Sequence, residues 1–222
     1  MNGEPTAFAV LAADPRASLD ALALSLAGQF RPVDAAAAMD ALDALGAEIA
    51  IVASRGSGSP AEEAETCAAV LGGRHGYVGD RAEYDDPRNS MLDAVIERRR
   101  GLPIVLSVLY VEAARRAGIA LRGVGLPGHF VAGHFGADPP LLIDPFNGGR
   151  PVGDDVPRSR LRPWTPHEIA LRMLNNLVPA FERRGDLGAA IRAASMRLEL
   201  PGAPALRETL EHELRSLRAR LN

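Results

Sequence analysis

The chain has 222 residues, of which 47% are hydrophobic and only 5% aromatic, so it can bury a core built mainly from aliphatic side chains and alanine. Its 25 basic and 28 acidic residues leave a net charge of −3. That balance excludes the strongly basic surface that supports nucleic-acid binding, and we expect no nucleic-acid partner.

All 25 basic residues are arginine. Without lysine the chain cannot form a Schiff base or hold pyridoxal phosphate covalently, and we expect no cofactor. The single cysteine, Cys67, excludes an intrachain disulfide and a cysteine-based metal cluster. No apolar run reaches the ~20 residues of a membrane span, and the start of the sequence lacks a signal-peptide pattern. We therefore expect a cytoplasmic protein without membrane contact.

Residues 1–58 form a predicted N-terminal helical segment. The stretches "ASLDALALSLAGQF" and "DAAAAMDALDALGAEI" have the apolar spacing of amphipathic helices. Asp34 is the expected N-cap of the second helix. The stretch "SRGSGS" that follows is rich in glycine and serine, which predicts a flexible linker.

Residues 59–160 form the predicted core. Its first helix is expected to start at Ser59 with a capping box, to end at Gly72-Gly73 and to bury Cys67. The second is expected to start at Asp86-Pro87 and to end at Gly101. The third, "GLPIVLSVLYVEAARRAG", is apolar on all sides in its first two turns, which indicates a buried central helix.

Three strand-like stretches come next: "IALRGVGL", "HFVAGHF" and "PLLID". The loops between them are short, which favours antiparallel pairing, and Trp164 is expected to dock the loop that follows onto the core. Residues 161–222 form a predicted C-terminal helical tail that begins with a capping box of Thr165 and Glu168. Its helix spacing is typical of a tetratricopeptide-like unit. The predicted fold class is α+β, with the central helix packed against a small antiparallel sheet.

Two histidines lie in the second strand. His129 and His134 are five residues apart, so alternation places them on opposite faces of the sheet and they cannot share one metal ion. We therefore expect no metal site and interpret His134 as an exposed rim residue. Asp144 ends the next strand, where its carboxylate can meet the His129 imidazole. Such a pair fixes the tautomer and orientation of histidine in catalytic triads.

The motifs "YDDPRNSML", "RRRGLPIVLSVLYVEAARRAG", "GVGLPGHF" and "IDPFNGG" follow one another here as in the SirB-type transglutaminase-like family of bacterial proteins, which the chain resembles over most of residues 66–200. The resemblance implies a papain-like core with a tetratricopeptide-like tail. It implies that His129 and Asp144 are the histidine and aspartate of a catalytic triad. It also makes Asn89 and Asn147 candidates for ligand binding in the same region.

The same resemblance places the nucleophilic cysteine at the start of the central helix, fifteen residues before a "GI" that is Gly118-Ile119 here. That position is Pro103, which carries no side-chain nucleophile and no backbone N–H. Ser107 lies four residues further on, on the same face of the helix, and is the alternative nucleophile. Its other interpretation is a hydroxyl that bonds back to a helix carbonyl.

Three functions are consistent with this pattern. The first is a pseudoenzyme, a non-catalytic binding or regulatory module with a groove lined by His129 and Asp144 and with a peptide or protein partner. The second is a hydrolase or acyl transferase that uses Ser107 or water, with His129 as general base. The third is a scaffold that binds a partner through the tail. An exposed apolar stripe on the last helix would favour the scaffold; its members would be Leu206, Leu210, Leu214 and Leu217.

Overall fold

The computed structural model describes residues 7–153, 156 and 161–221. Three helices come first: α1 (Ala7–Ala13), α2 (Leu19–Gly28) and α3 (Ala35–Ala53). The sequence patterns predicted α2 and α3 but not the short α1. Asp34 caps α3 as expected, because its carboxylate accepts a hydrogen bond from the backbone N–H of Ala37.

Helix α4 (Pro60–Cys67) begins after Ser59, whose hydroxyl accepts the N–H of Glu62 at 3.3 Å. The α-helix continues as a π-helical turn over Ala68–Arg74, so the helical path ends one residue after the predicted Gly72-Gly73. Gly72 serves close packing instead of termination. A Cβ atom at this residue would lie 2.0 Å from the carbonyl oxygen of Gly148, so only glycine lets the two segments meet.

The second predicted core helix is divided. A 3-10 turn covers Pro87–Ser90, and the helix proper, α5 (Leu92–Arg98), starts only after an extended Met91. The predicted end at Gly101 is wrong, because the left-handed Arg99 ends the helix and Gly101 lies in a strand. Asp86 is a cap as expected, but of the 3-10 turn, where it accepts the N–H of Arg88 at 2.9 Å. Two short strands flank this region and pair in parallel, β1 (Val78–Gly79) with β2 (Arg100–Gly101).

Helix α6 (Pro103–Arg116) is the predicted central helix, and every residue from Pro103 to Ala114 is buried. It packs against an antiparallel sheet in the order β3-β4-β5-β6. The strands span Leu121–Leu126 (β3), His129–His134 (β4), Leu141–Asp144 (β5) and Arg150–Pro151 (β6), with a 3-10 turn at Pro145–Asn147. The predicted three strands and their antiparallel pairing are confirmed.

The tail contains α7 (Pro166–Arg183), α8 (Leu187–Met196), a 3-10 turn at Arg197–Glu199 and α9 (Pro204–Ala219). Thr165 and Glu168 form the predicted capping box of α7. Trp164 packs edge-on against Phe130, with ring centroids 5.4 Å apart, and so docks on the core as expected.

One cluster of buried side chains joins the three parts of the chain: Leu22 from the first segment, Val105 from α6 and Leu177 from the tail belong to it. The fold is therefore α+β with a shared core. Among the described residues, no helix is long and apolar enough to span a bilayer.

Candidate functional site

His129 and Asp144 form a hydrogen-bonded pair. The distance from Nε2 of the imidazole to Oδ2 of the carboxylate is 2.9 Å, and the two side chains are 30% and 12% exposed. The register explains the contact. Ala132 lies opposite Ile143, which makes His129 and Asp144 diagonal neighbours on one face of the sheet.

The carboxylate of Asp144 accepts two further hydrogen bonds. Asn147 Nδ2 donates to Oδ2 at 2.6 Å, and the backbone N–H of Phe146 donates to Oδ1 at 2.9 Å. Burial on its own raises the pKa of Asp144, but the hydrogen bonds from His129 and Asn147 outweigh it and hold the pKa below the usual value. Asp144 is therefore a charged acceptor at neutral pH.

The tautomer of His129 follows from this charge. A carboxylate acceptor at Nε2 requires that Nε2 carry the proton, so Nδ1 of the neutral ring keeps its lone pair. Within residues 7–153 and 161–221, Nδ1 of His129 has no hydrogen-bond partner. The arrangement leaves a half-exposed imidazole with one nitrogen fixed by Asp144 and the other available to a ligand.

Phe146 lies at the centre of the site. Its ring centroid is 6.2 Å from that of His129 at an angle of 90°, and 6.2 Å from that of Tyr84 at 71°. The guanidinium carbon of Arg81 lies 4.9 Å from the same centroid. Gly79 makes room for the ring, because a Cβ atom there would be 2.3 Å from Phe146. We call His129, Asp144, Phe146, Asn147, Arg81 and Tyr84 together the His129 site.

Arg81 and Tyr84 were not found by sequence reasoning. They belong to a loop far from the histidine in sequence: the hydrogen bond from Arg81 Nη2 to Asn147 Oδ1, 2.5 Å long, spans 66 positions. No local pattern marks such a partner. Phe146, in contrast, stands inside the "IDPFNGG" motif and could have been proposed as an aromatic wall from its position two residues after Asp144.

Of the two asparagine candidates, the structure places only Asn147 at the site. Asn89 is fully buried; its side chain donates to the Glu83 carbonyl at 2.6 Å and accepts from Arg98 at 3.0 Å. Its own carbonyl accepts the N–H of Leu102, the residue before α6, at 2.9 Å. Asn89 thus positions the start of the central helix. Its contacts are structural, and its side chain does not reach the His129–Asp144 pair.

Pro103 is the first residue of α6, as predicted, and it is buried. Ser107 is also fully buried, and its hydroxyl donates to the Pro103 carbonyl at 2.8 Å. This is the back-bonding that polar residues make inside helices, and it leaves the hydroxyl without access to solvent. Cys67 is fully buried in the core as predicted, and burial raises the pKa of its thiol to about 12. Neither side chain is an accessible nucleophile.

The interpretation of His134 as an exposed rim residue is wrong. Its side chain is only 3% exposed, Nε2 lies 2.6 Å from Glu63 Oε2, and Nδ1 accepts the N–H of Gly136 at 3.1 Å. His134 is buried although it ends strand β4, because helix α4 lies next to it and supplies the Glu63 carboxylate as its partner. In the part of the chain that the structure describes, no group of three or more His, Cys, Asp or Glu side chains is arranged to hold a metal ion.

Two kinds of protein are similar to this chain in sequence. The chain is 42% identical over 153 residues to a UPF0162 protein of Xylella fastidiosa (strain 9a5c), which covers 60% of this chain and 54% of that protein. A UPF0162 protein of Pseudomonas aeruginosa is 33% identical over 144 residues, 59% of this chain and 51% of its own length. The human F-box only protein 21 is 29% identical over 126 residues, 49% of this chain and 20% of its own.

The chain spans about half the length of the bacterial relatives at the top of this comparison. No solved structure matches it. The sequence profile described as the transglutaminase-like superfamily matches residues 36–177, which include α6, the sheet, and both His129 and Asp144. Since this match extends over more than half of the chain, the protein belongs to the transglutaminase-like superfamily.

Proposed function

We propose that this chain is a SirB-type transglutaminase-like protein that binds a peptide or protein segment at the His129 site without forming a covalent acyl intermediate. The observation that carries the proposal is the His129–Asp144 pair. Its hydrogen bond of 2.9 Å is that of a working triad, whereas the helix where the resemblance expects the thiol begins with Pro103. The site would keep the recognition half of an acyl-transfer site and lack the nucleophile.

Triad chemistry explains why this loss is decisive. The thiolate of such enzymes is stabilised by the N-terminus of a helix and by the neighbouring imidazolium. Members of a triad act as a unit, so loss of the nucleophile alone costs on the order of a million-fold in turnover. Cys67 cannot replace it, because its thiol is fully buried and its pKa is raised to about 12.

A water-using hydrolase is the second candidate, and one observation favours it. Nδ1 of His129 keeps its lone pair and faces no hydrogen-bond partner among the described residues, as a general base for water requires. The proton of the water would pass to Nδ1 while the oxygen adds to a substrate carbonyl, and the same proton would then pass to the alcohol or amine that leaves when the tetrahedral intermediate collapses. The version that uses Ser107 has no geometric support, since that hydroxyl is buried and bonded to Pro103.

The scaffold hypothesis loses the feature that would have favoured it. Of the four leucines in the predicted stripe on α9, three are buried, with exposures of 6% each, and only Leu206 is exposed at 38%. The buried three, Leu210, Leu214 and Leu217, pack inside the protein and present no continuous apolar surface.

Two assays test the proposal. In the first, the purified chain is incubated with amide, ester and amine-donor substrates, together with a His129→Ala variant. We expect no turnover from either protein, and no effect of thiol alkylation. Turnover by the unmodified chain that disappears in His129→Ala would establish the hydrolase in place of the binding module.

The second assay measures recognition. Random extended peptides displayed on phage are selected on the full chain, and each binder is measured against His129→Ala and His75→Ala. His75 is a matched control because it also pairs with a carboxylate, Glu48, at 2.7 Å, outside the His129 site. We expect binders that lose at least tenfold in affinity with His129→Ala and keep it with His75→Ala. An absence of any His129-dependent binder would contradict the proposal.

A further inference from the structure

Arg81 is an exposed arginine whose guanidinium is held in place on the His129 site. Nη2 donates to Asn147 Oδ1 at 2.5 Å, and the guanidinium carbon lies 4.9 Å from the centroid of the Phe146 ring. A flexible cation loses much rotamer entropy when it binds a ligand. These two contacts fix the Arg81 side chain in advance, which lowers that cost.

The surrounding loop carries four acidic side chains, Asp80, Glu83, Asp85 and Asp86, and none of them forms an ion pair with Arg81 among the described residues. The three aspartates of this loop each form an ion pair with another arginine. Asp80 pairs with Arg98 at 3.1 Å, Asp85 with Arg183 at 2.6 Å and Asp86 with Arg88 at 2.6 Å.

Arg81 has no such partner, since none of its nitrogens lies within 4.0 Å of a carboxylate oxygen among the described residues. A guanidinium has five N–H donors, and only one of them is used, by Asn147. The other four donors of this cation are therefore without a hydrogen-bond partner among the described residues.

We propose that Arg81 is the subsite for a carboxylate, and that the segment bound at the His129 site is an acidic peptide. This inference rests on the proposed function and adds the chemical class of the ligand. The planar guanidinium fork fits a carboxylate through two parallel hydrogen bonds. Tyr84, which is 50% exposed and packs on the same Phe146 ring, offers an aromatic surface for the peptide chain beside it.

The local charge favours a singly charged carboxylate over a phosphate. Arg81 is a single cation. The Asn147 side chain, to which it donates, also donates to the charged carboxylate of Asp144, so a negative charge lies nearby. A dianion would need a second cation or a helix N-terminus to offset that carboxylate. The nearby Arg88 is already bonded to Asp86.

Asn147 connects Arg81 to His129, so that ligand binding at Arg81 can be measured at the imidazole. Its amide accepts from Arg81 and donates to Asp144 Oδ2, the oxygen that contacts His129. A carboxylate that pulls on the guanidinium changes the hydrogen bond at Asn147, and through Asp144 it changes the environment of the imidazole. Binding at Arg81 is therefore expected to move the ring proton signals of His129 even where the ligand does not touch the ring.

The experiment uses two synthetic probes, acetyl-(Ala-Glu)3-amide and its neutral counterpart acetyl-(Ala-Gln)3-amide. Each is titrated into the isotope-labelled full chain at fixed pH while the His129 ring signals are followed by NMR. We expect the glutamate probe to shift these signals to saturation and the glutamine probe to bind at least tenfold more weakly. Inorganic phosphate at the same concentration is expected to have a smaller effect than the glutamate probe.

Variants assign the effect to Arg81. Arg81→Gln should lower the affinity for the glutamate probe at least tenfold, and Arg81→Lys, which keeps the charge, should restore part of it. Arg122→Gln is the control, because Arg122 is exposed and its guanidinium bonds only to the Leu121 carbonyl in the described part of the chain. It should bind like the wild-type chain. Thermal unfolding of each variant confirms that the fold is retained.

Three outcomes would overturn the assignment: equal binding by Arg81→Gln, equal binding of the glutamine probe, or an equal response to phosphate. A chain that ignores the glutamate probe but yields His129-dependent binders in the display selection would lose the acidic subsite and keep the proposed function. A chain with His129-dependent turnover would lose the proposed function instead. The two failures are therefore distinguishable.

Discussion

Asn147 donates its side-chain amide to Asp144 at 2.6 Å, on the same oxygen that contacts the imidazole of His129 at 2.9 Å. The carboxylate is thus held from two sides by side chains and from a third by the N–H of Phe146. A carboxylate that receives several hydrogen bonds cannot rotate without losing them. Asn147 therefore contributes to the orientation of His129 although it does not contact the ring itself.

Replacement of this amide should have a pH-dependent effect on stability. The folded-state pKa of Asp144 is lowered, so its stabilisation is present above the unfolded value of about 3.9 and is lost as the pH falls through the folded value. We expect Asn147→Ala to lower the free energy of unfolding by about 1 kcal/mol at pH 7 and by less below pH 4. Urea unfolding at both pH values measures this.

A double-mutant cycle with Asp144→Asn isolates the interaction. The cost of Asn147→Ala should shrink when Asp144 has already lost its charge. An equal cost in both backgrounds, or an equal cost at pH 3 and pH 7, would show that Asn147 acts through some other contact.

Pro103→Cys tests whether the start of α6 is a vacant nucleophile position. A thiol there would be stabilised as thiolate by the helix N-terminus and by His129, so we expect its pKa to fall below the ~8.5 of a free cysteine. The first helical position tolerates most residues, and the lost proline restriction should cost under about 1 kcal/mol. The pH dependence of iodoacetamide labelling gives the thiol pKa.

The labelling is measured in a Cys67→Ala background so that only one thiol is present. His129→Ala in the same background should raise the labelling pKa again. If the pKa stays at or above 8.5 and His129→Ala makes no difference, then the residue that begins α6 does not face the histidine, and the triad comparison fails.

A buried ionic cluster should hold the first helices on the core. Asp20 is 1% exposed and accepts hydrogen bonds from Arg115 at 3.2 Å and from Arg116 at 2.8 Å. We expect Asp20→Asn to lower the free energy of unfolding by about 1–3 kcal/mol at pH 7, because it removes one of the two buried carboxylates, Asp20 and Glu112, that both arginines contact. Asp43→Asn is the control, because Asp43 pairs with the same Arg116 but its side chain is 66% exposed. This substitution should lower the free energy of unfolding by less than about 1 kcal/mol.

The stabilisation by Asp20 should also depend on pH. Burial on its own raises the pKa of Asp20, but hydrogen bonds from Ser18 and Arg116 outweigh it and lower the pKa to about 2. The contribution of Asp20 is therefore present above about pH 4 and is lost as the pH falls towards 2. Urea titrations should show that the difference between the wild type and Asp20→Asn narrows over this range. A difference that widens there would contradict this interpretation.

Two adjacent glycines should respond differently to the same substitution. A Cβ atom at Gly72 would lie 2.0 Å from the Gly148 carbonyl and 2.8 Å from the hydroxyl of Tyr110, whereas one at Gly73 meets nothing closer than 4.0 Å. Gly72→Ala must push back the turn that carries Asp144 and Asn147, and we expect a loss of about 1–3 kcal/mol together with shifted His129 signals. Gly73→Ala should be neutral within about 1 kcal/mol.

Thermal unfolding measures the stability of each variant, and one NMR spectrum of each shows whether the His129 signals have shifted. Equal stability of Gly72→Ala and Gly73→Ala would mean that the π-helical turn and the turn at Gly148 do not need to touch.

The sequence was most informative where one local rule determines the structure. The all-apolar start of α6, the antiparallel pairing of β4 and the caps at Asp34 and Thr165 each rest on a few neighbouring residues, and all were confirmed. The His129–Asp144 contact could also be predicted, because strand register converts a sequence spacing into a distance.

Contacts between distant segments could not be predicted in this way. Glu63 of helix α4 pairs with His134 of strand β4, 71 positions away, and Arg81 contacts Asn147 across 66 positions. The role of Gly72 was misjudged for the same reason, since its partner, Gly148, belongs to a different element. In each case a tertiary neighbour overrode the local pattern.

The exposed stretch after α3, residues 54–58, joins two parts that are already held together elsewhere. Helix α3 lies so close to α6 that a Cβ atom at Gly46 would be 2.4 Å from Cβ of Arg116, and Leu42 belongs to the same buried cluster as Val105. A single protease cut after Arg55 would therefore give two polypeptides that still migrate as one particle. We expect the two pieces, expressed separately, to assemble by complementation, which size-exclusion chromatography of their mixture would show.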